Sequence, residues 1–246
     1  GVLLGIAWKA ALGAALVFSG LLVYLFVVAA TLLTAPHADV VSWHIALSLI
    51  GLGAGIGAGL LLALNKGAGF LESATFRILA AHATLMLGAW VIVMLNGVAY
   101  RLVGMFTLSE DQIWYRVAWA ELGFSVGGAW LLAAGLLADA PRSLLGIAAL
   151  SILAGQALFA AQLCHLYRVR RRRGFDVHIP FALTAAASGL VAALLLTGGL
   201  FSDLSPNAHL WVAVGWLAIS GVALSAIQGF FYKIATFLVW LHRYAP

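Results

Sequence analysis

The chain has 246 residues, of which 64% are hydrophobic and only 9% charged, and its mean hydropathy is +1.08. A water-soluble domain carries roughly 25% charged and 45–50% apolar residues, and eight acids with thirteen bases cannot cover the surface of a globule this size. A soluble globular enzyme, a disordered chain and a disulfide-stapled mini-protein are excluded together, which leaves an all-α polytopic membrane bundle.

A bilayer core about 30 Å thick takes roughly 20 apolar residues per helix. In chain order, seven segments reach that length: 2–34, 39–64, 74–106, 112–137, 143–168, 179–200 and 208–242. Polar or turn-forming residues separate them: Pro36-His37-Ala38-Asp39, Asn65-Lys66-Gly67, Ser109-Glu110-Asp111, Asp139-Ala140-Pro141, the arginine run ending Arg173-Gly174, and Asp203-Leu204-Ser205-Pro206-Asn207. The runs are too long for strands and lack the alternation of a membrane barrel, and an open sheet leaves its edges unsatisfied in lipid. Connections are short, so residues 1–246 form a single transmembrane domain. The first segment is no cleavable signal peptide, because its apolar run is too long and Lys9 sits inside it. The chain begins Gly-Val, so the expectation is that it is processed or is the visible part of something longer with another helix upstream.

The isoelectric point near 9.7 reflects placement more than partners, since five of the thirteen bases fall within Arg168–Arg173. In a membrane chain such a cluster marks topology, not nucleic acid. With seven spans, nine bases (Arg101, Arg116, Arg168, Arg170 to Arg173, Lys233 and Arg243) share one side and four (Lys9, Lys66, Arg77, Arg142) the other. The positive-inside rule then puts the arginine run and the C-terminus in the cytoplasm and the N-terminus outside a bacterial-type inner membrane. Trp43, Trp114, Trp119, Trp240 and Tyr244 near helix ends form an interfacial belt. The expected partners are the bilayer and other membrane subunits or further copies of the chain. Cys164 is the lone cysteine, so no intrachain disulfide or multi-cysteine metal cluster forms.

Two segments echo one another: Gly97-Val-Ala-Tyr-Arg-Leu-Val-Gly-Met-Phe106 and Gly229-Phe-Phe-Tyr-Lys-Ile-Ala-Thr-Phe-Leu238. Both end a helix at the basic side with Tyr and a base. Duplication explains this, and so does the independent need of such a helix for a snorkelling Tyr and cation. Small residues recur at Gly51 to Gly59 and at Gly123 to Gly128, where helices or a flat macrocycle can approach closely.

Polar side chains inside a bilayer are costly unless they are used, which directs attention to the seven histidines. His82 is the deepest, about 12 Å into the third helix at ~1.5 Å per residue, among Ala80, Ala81, Ala83, Thr84, Leu85 and Met86. An axial haem ligand needs a neutral imidazole, apolar walls and small neighbours, and His82 meets all three. The alternative is a histidine that only hydrogen-bonds a neighbouring helix. His209 opens the seventh helix toward the same leaflet, and His44 enters the second from the cytoplasmic side. Glu121, midway along the fourth helix, is a functional candidate by location alone. His44, Glu121 and His165 would converge as a metal site or proton path; more simply, Glu121 pairs with Arg101 or Arg116. His37, His178 and His242 fall in loops or at the tail. No three-histidine copper site, covalent-haem motif, nucleophilic triad or Asp-rich metal cluster can be assembled, so no catalytic residue is assigned.

Phe76-Arg-Ile-Leu-Ala-Ala-His82-Ala-Thr-Leu-Met-Leu-Gly88-Ala-Trp90, running on to Gly97–Phe106, resembles the histidine-bearing helix of haem-copper oxidase subunit I and of small oxidase-like and NnrS-like membrane proteins. The tail, Tyr232-Lys-Ile-Ala-Thr-Phe-Leu-Val-Trp-Leu-His242-Arg-Tyr, resembles the end of the same oxidase-like proteins. The resemblance covers about a quarter of the chain. It implies an oxidase-like bundle holding haem b non-covalently, with His82 matching the low-spin-haem histidine. Gly104 and Ala235 stand where that pattern has prolines, and the copper ligands are absent, which argues against oxygen or nitric oxide reduction. The expectation is therefore electron transfer, or an accessory role in a respiratory complex, with His82 and His209 as axial ligands to haem iron and His44 in reserve. A cofactor-free structural subunit and a (bacterio)chlorophyll-binding subunit are the alternatives.

Overall fold

The computed structural model describes residues 2–34, 37–172, 174, 176–202 and 208–244. They form seven helices long and apolar enough to cross a membrane: α1 (Val2–Leu33), α2 (Val40–Ala68), α3 (Thr75–Thr107), α4 (Tyr115–Leu137), α5 (Arg142–Val169), α6 (His178–Phe201) and α7 (Ala208–Tyr244). Among the described residues there is no strand. An α-helix satisfies every backbone N–H and C=O internally, which lipid demands. The expected 203–207 connection and Arg173 lie outside the described residues.

Local chemistry sets the ends. Asp39 caps α2 by accepting from the Ser42 amide at 2.8 Å, and Gly69 closes it in the left-handed conformation (φ 64°) with its N–H on the Asn65 carbonyl. Leu108 ends α3 in the same left-handed region (φ 57°), its neighbour Ser109 donating to the Gly104 carbonyl at 2.8 Å. Two helices change pitch midway: α3 is π-helical over Thr84–Ile92 and α7 over Leu217–Leu224.

Sequence neighbours pack on one another, most extensively α2 on α3, α4 on α5 and α6 on α7. The helix α3 touches α2, α4, α5 and α7, and so runs through the middle of the bundle. Its Val93 and Tyr100 join Leu122 of α4, Phe159 and Leu163 of α5 and Ala182 of α6 in the largest core cluster. In lipid the association is driven by close van der Waals packing, so small residues mark the seams. A Cβ on Gly51 would sit 2.8 Å from the backbone of Ala89, and one on Gly128 2.8 Å from the amide of Ile152. By contrast α1 meets the bundle through α2, and Leu16, Val17, Phe26 and Leu33 are exposed along it.

The sequence echo between α3 and α7 extends into three dimensions. Gly97 of α3 lies against the His44 Cβ of α2, and Gly229 of α7 lies against the Phe181 Cβ of α6. Asp39 just before α2 feels the charge of Arg101, and Asp176 just before α6 is ion-paired with Lys233. Both π-helical stretches end five residues before the glycine. Thus α2–α3 and α6–α7 repeat one packing unit, in which position 44 corresponds to 181 and Arg101 to Lys233. A shared taste for a Tyr and a base at the membrane surface does not account for a matched glycine contact, acid and change of pitch.

Candidate functional site

Two polar pairs spaced i,i+4 place four side chains on inward faces: Asn96 and Tyr100 on α3, Glu121 and Ser125 on α4. Together with His44 of α2 they form one cluster in the half of the bundle nearest the arginine run. All five are buried, His44, Tyr100 and Glu121 completely. Glu121 is its centre. Its Oε1 accepts from Asn96 Nδ2 at 2.9 Å and from Ser125 Oγ at 2.8 Å. Its Oε2 accepts from the Tyr100 hydroxyl at 3.1 Å and is 2.7 Å from His44 Nε2. Four partners occupy the roughly four lone-pair directions of a carboxylate, so the oxygens are saturated by N–H and O–H groups. His44 Nδ1 lies 2.7 Å from the Val40 carbonyl. A carbonyl only accepts, so Nδ1 carries a proton and the His44–Glu121 hydrogen bond holds one more. The ring of His44 also stands edge-on to Tyr100, which in turn meets Phe159.

This overturns the simpler expectation for Glu121. Its partner is neither Arg101 nor Arg116, both of which are exposed; Arg101 instead pairs with an acid of the connecting turn, Glu110, at 3.9 Å. Helical phase is the reason: Tyr100 faces the core, so Arg101, about 100° further round, does not. Of the three residues expected to converge, His44 and Glu121 do. His165 does not; it stacks on Trp114 with centroids 3.8 Å apart and bonds the Gln112 carbonyl.

Between this cluster and the basic surface lies a cavity of about 220 Å³ lined by Asp39, Val40, Val41, Arg101, Glu110, Asp111, Ile113 and Tyr115. Val40 therefore both walls the cavity and holds the Nδ1 proton of His44. Elsewhere in the core Gln162 is fully buried with no hydrogen bond on either amide atom, and Gln156 Nε2 is likewise unpaired.

His82 occupies the opposite half. It is half-buried, and its Nδ1 lies 2.6 Å from the Gly55 carbonyl of α2. Its ring lies on Gly59, where a Cβ would come within 2.9 Å of it. Among the described residues its Nε2 has no hydrogen bond. His82 precedes Gly97 by fifteen residues, about 22 Å of helix at ~1.5 Å per residue. Since Gly97 abuts His44, the two imidazoles lie far apart along α3. His44 is thus corrected as a reserve ligand: it is too distant to share an iron with His82, and its Nε2 is engaged by Glu121. His209 is exposed at the start of α7.

His178, expected in a loop, is the first residue of α6 and is completely buried. Phe106 packs on it at 5.5 Å, Asp176 Oδ1 is 3.7 Å from its Nδ1, and neither ring nitrogen has a hydrogen bond. Asp176 sits just outside the span. Burial pushes its carboxyl up, but the Lys233 hydrogen bond and charge, with His178, outweigh this and hold it below the usual carboxylate value. Among the described residues no three His, Cys, Asp or Glu side chains gather closely enough to hold a metal ion. Comparison with family models, curated proteins and solved structures finds no match for this chain.

Proposed function

We propose that this chain is a membrane haem b-binding protein serving electron transfer in, or as an accessory to, a respiratory assembly. One observation carries the reading: His82 donates its Nδ1 proton to the Gly55 carbonyl, which fixes the tautomer and leaves Nε2 as the ring's coordinating atom, the arrangement metal-ligating histidines favour. The donor set fits the group at this residue. His82 would hold the iron from α3, with Gly59 under its ring and the Gly55 carbonyl on its Nδ1 fixing its seat on α2, and His209 is the second ligand proposed from the same leaflet. When bound, the haem would supply one-electron exchange at its iron, with His82 and His209 as the residues that would hold it. The orientation proposed with it puts the arginine run in the cytoplasm of a bacterial-type inner membrane.

The test is a reduced-minus-oxidised spectrum of the purified chain. A haem b signal lost in His82→Ala supports the assignment; a colourless protein, or a signal indifferent to the substitution, removes it. A second reading, a cofactor-free subunit packed within a larger membrane complex, is favoured by the bare flank of α1, and a colourless protein that co-purifies with other membrane subunits would select it.

A further inference from the structure

We propose that the Glu121–His44 pair is a proton-exchange site opening to the basic end of the bundle, with His44 relaying protons between Glu121 and the cavity beneath Val40. First, the chemistry of the cluster selects its ligand. All four partners of the carboxylate are N–H or O–H groups, whose positive ends face inward. A metal cation there would meet donors instead of oxygens, whereas a proton fits the 2.7 Å bond between Nε2 and Oε2.

Second, the imidazole is set as a bridge. One nitrogen faces Glu121 and the other faces the carbonyl of Val40, a residue that lines a cavity of about 220 Å³, with room for several waters at ~30 Å³ each. That cavity carries Asp39, Arg101, Glu110, Asp111 and Tyr115, a polar wall that keeps water in place. Third, the repeat shows what packing alone requires. At the corresponding place in α6–α7 the glycine contact is kept and the side chain is Phe181, so an apolar ring suffices to build the seam. The imidazole and its carboxylate are additions to it.

In the depleted form His44 carries its proton on Nε2, Glu121 is a carboxylate, and a water drawn from the cavity stands between Nδ1 and the Val40 carbonyl, donating one hydrogen to each, because the carbonyl only accepts. A hydronium in the cavity gives a proton to Nδ1 and becomes water, while the proton shared by Nε2 and Oε2 stays within the pair; release reverses the transfer. No electron moves and no bond to carbon changes. Among the titratable or charged groups on the surrounding elements, Tyr100 of α3 touches the pair directly; Asp39 at the cap of α2, Arg101 of α3, Tyr115 of α4 and Glu110 with Asp111 in the turn line the cavity; and Arg116 of α4, Cys164 and His165 of α5 and His178 of α6 lie at the basic ends of their helices without contact to the pair.

The experiment is nitrogen NMR on full-length, histidine-labelled protein in lipid vesicles of known orientation, with His44 assigned through its bond to a labelled Val40 carbonyl. Making the buffer at the basic face alkaline should remove the proton from His44 Nδ1, and making the opposite face alkaline should not. Glu121→Gln should abolish the response, because the amide donates to Nε2 and locks the Nδ1–H form. An Nδ1 proton that persists whatever the buffer at the basic face marks the cluster as a static pin and overturns the proposal. So does a response driven from the opposite face, or one unchanged in Glu121→Gln. Should that variant fail to fold, the sidedness of the unmodified chain decides alone.

Discussion

Glu121 shows how one side chain can hold three helices. Its hydrogen bonds tie α2, α3 and α4 at a single point, and each partner left behind by its removal would be a buried donor without an acceptor. Glu121→Leu should therefore destabilise the bundle by about 3–5 kcal/mol, the usual consequence of breaking a buried charged network, read as a lower midpoint in detergent-denaturation titrations. Tyr100→Phe removes one donor but keeps the contact with Phe159, and should lose only about 1 kcal/mol. Gly97 is as sensitive for a steric reason. A Cβ there would overlap the His44 Cβ, so Gly97→Ala should cost about 1–3 kcal/mol through overpacking and also displace the imidazole from Glu121. Equal stability of the Gly97→Ala and wild-type chains would show that the seam yields.

At the level of helices, two ends store or depend on local chemistry. Leu108 adopts a left-handed conformation and is largely exposed, a state that costs a non-glycine residue about 1–2 kcal/mol. Leu108→Gly should recover up to about 1 kcal/mol, after the entropy that glycine adds to the unfolded chain. At the start of α6, Asp176 is held ionised by Lys233 against the effect of burial. A carboxyl depressed in the folded state contributes stability that is complete above its ordinary value of 3.8 and is lost as pH falls through its lower folded value. Acid should therefore loosen the contact between α6 and the end of α7 below about pH 3.8. Hydrogen exchange at residues 176–181 should report that step, and Asp176→Asn should lack it.

For the whole molecule, seven spans put the arginine run and the end of α7 on one side. The proposed orientation predicts that trypsin cleaves near Arg171 in inverted membrane vesicles and spares it in right-side-out ones; the reverse pattern would invert the assignment. The repeat of α2–α3 in α6–α7 gives the bundle two equivalent seams of different content. Packing is shared between them, whereas the carboxylate-bound imidazole belongs to one and the buried, unbonded His178 to the other. His82 and the Glu121 cluster occupy opposite halves of the bundle, so the proposed haem ligand and the proton site act from different leaflets.

Composition and the length of apolar runs determined the bundle and its seven spans, because in lipid a backbone has few ways to satisfy itself and the helix must match the bilayer's thickness. The expected ends of 39–64 and 143–168 lie within a few residues of α2 and α5 for that reason. The echo at Gly97 and Gly229 was legible too, though its meaning was not. The partners of Glu121 were decided by tertiary structure alone. An ion-pair argument from sequence reaches for the nearest arginine, whereas the helix turns Arg101 toward the surface and Tyr100 inward. Asn96 with Tyr100, and Glu121 with Ser125, were visible as i,i+4 pairs on apolar helices; that His44 meets them depends on how α2 crosses α3 at Gly97. His178 looked like a loop residue because its polar flank, Asp176, resembles a linker, and only the packing of Phe106 and α7 buries it. Hydrophobic period fixes which residues lie in the membrane; rotation and contact between helices choose which polar groups meet there.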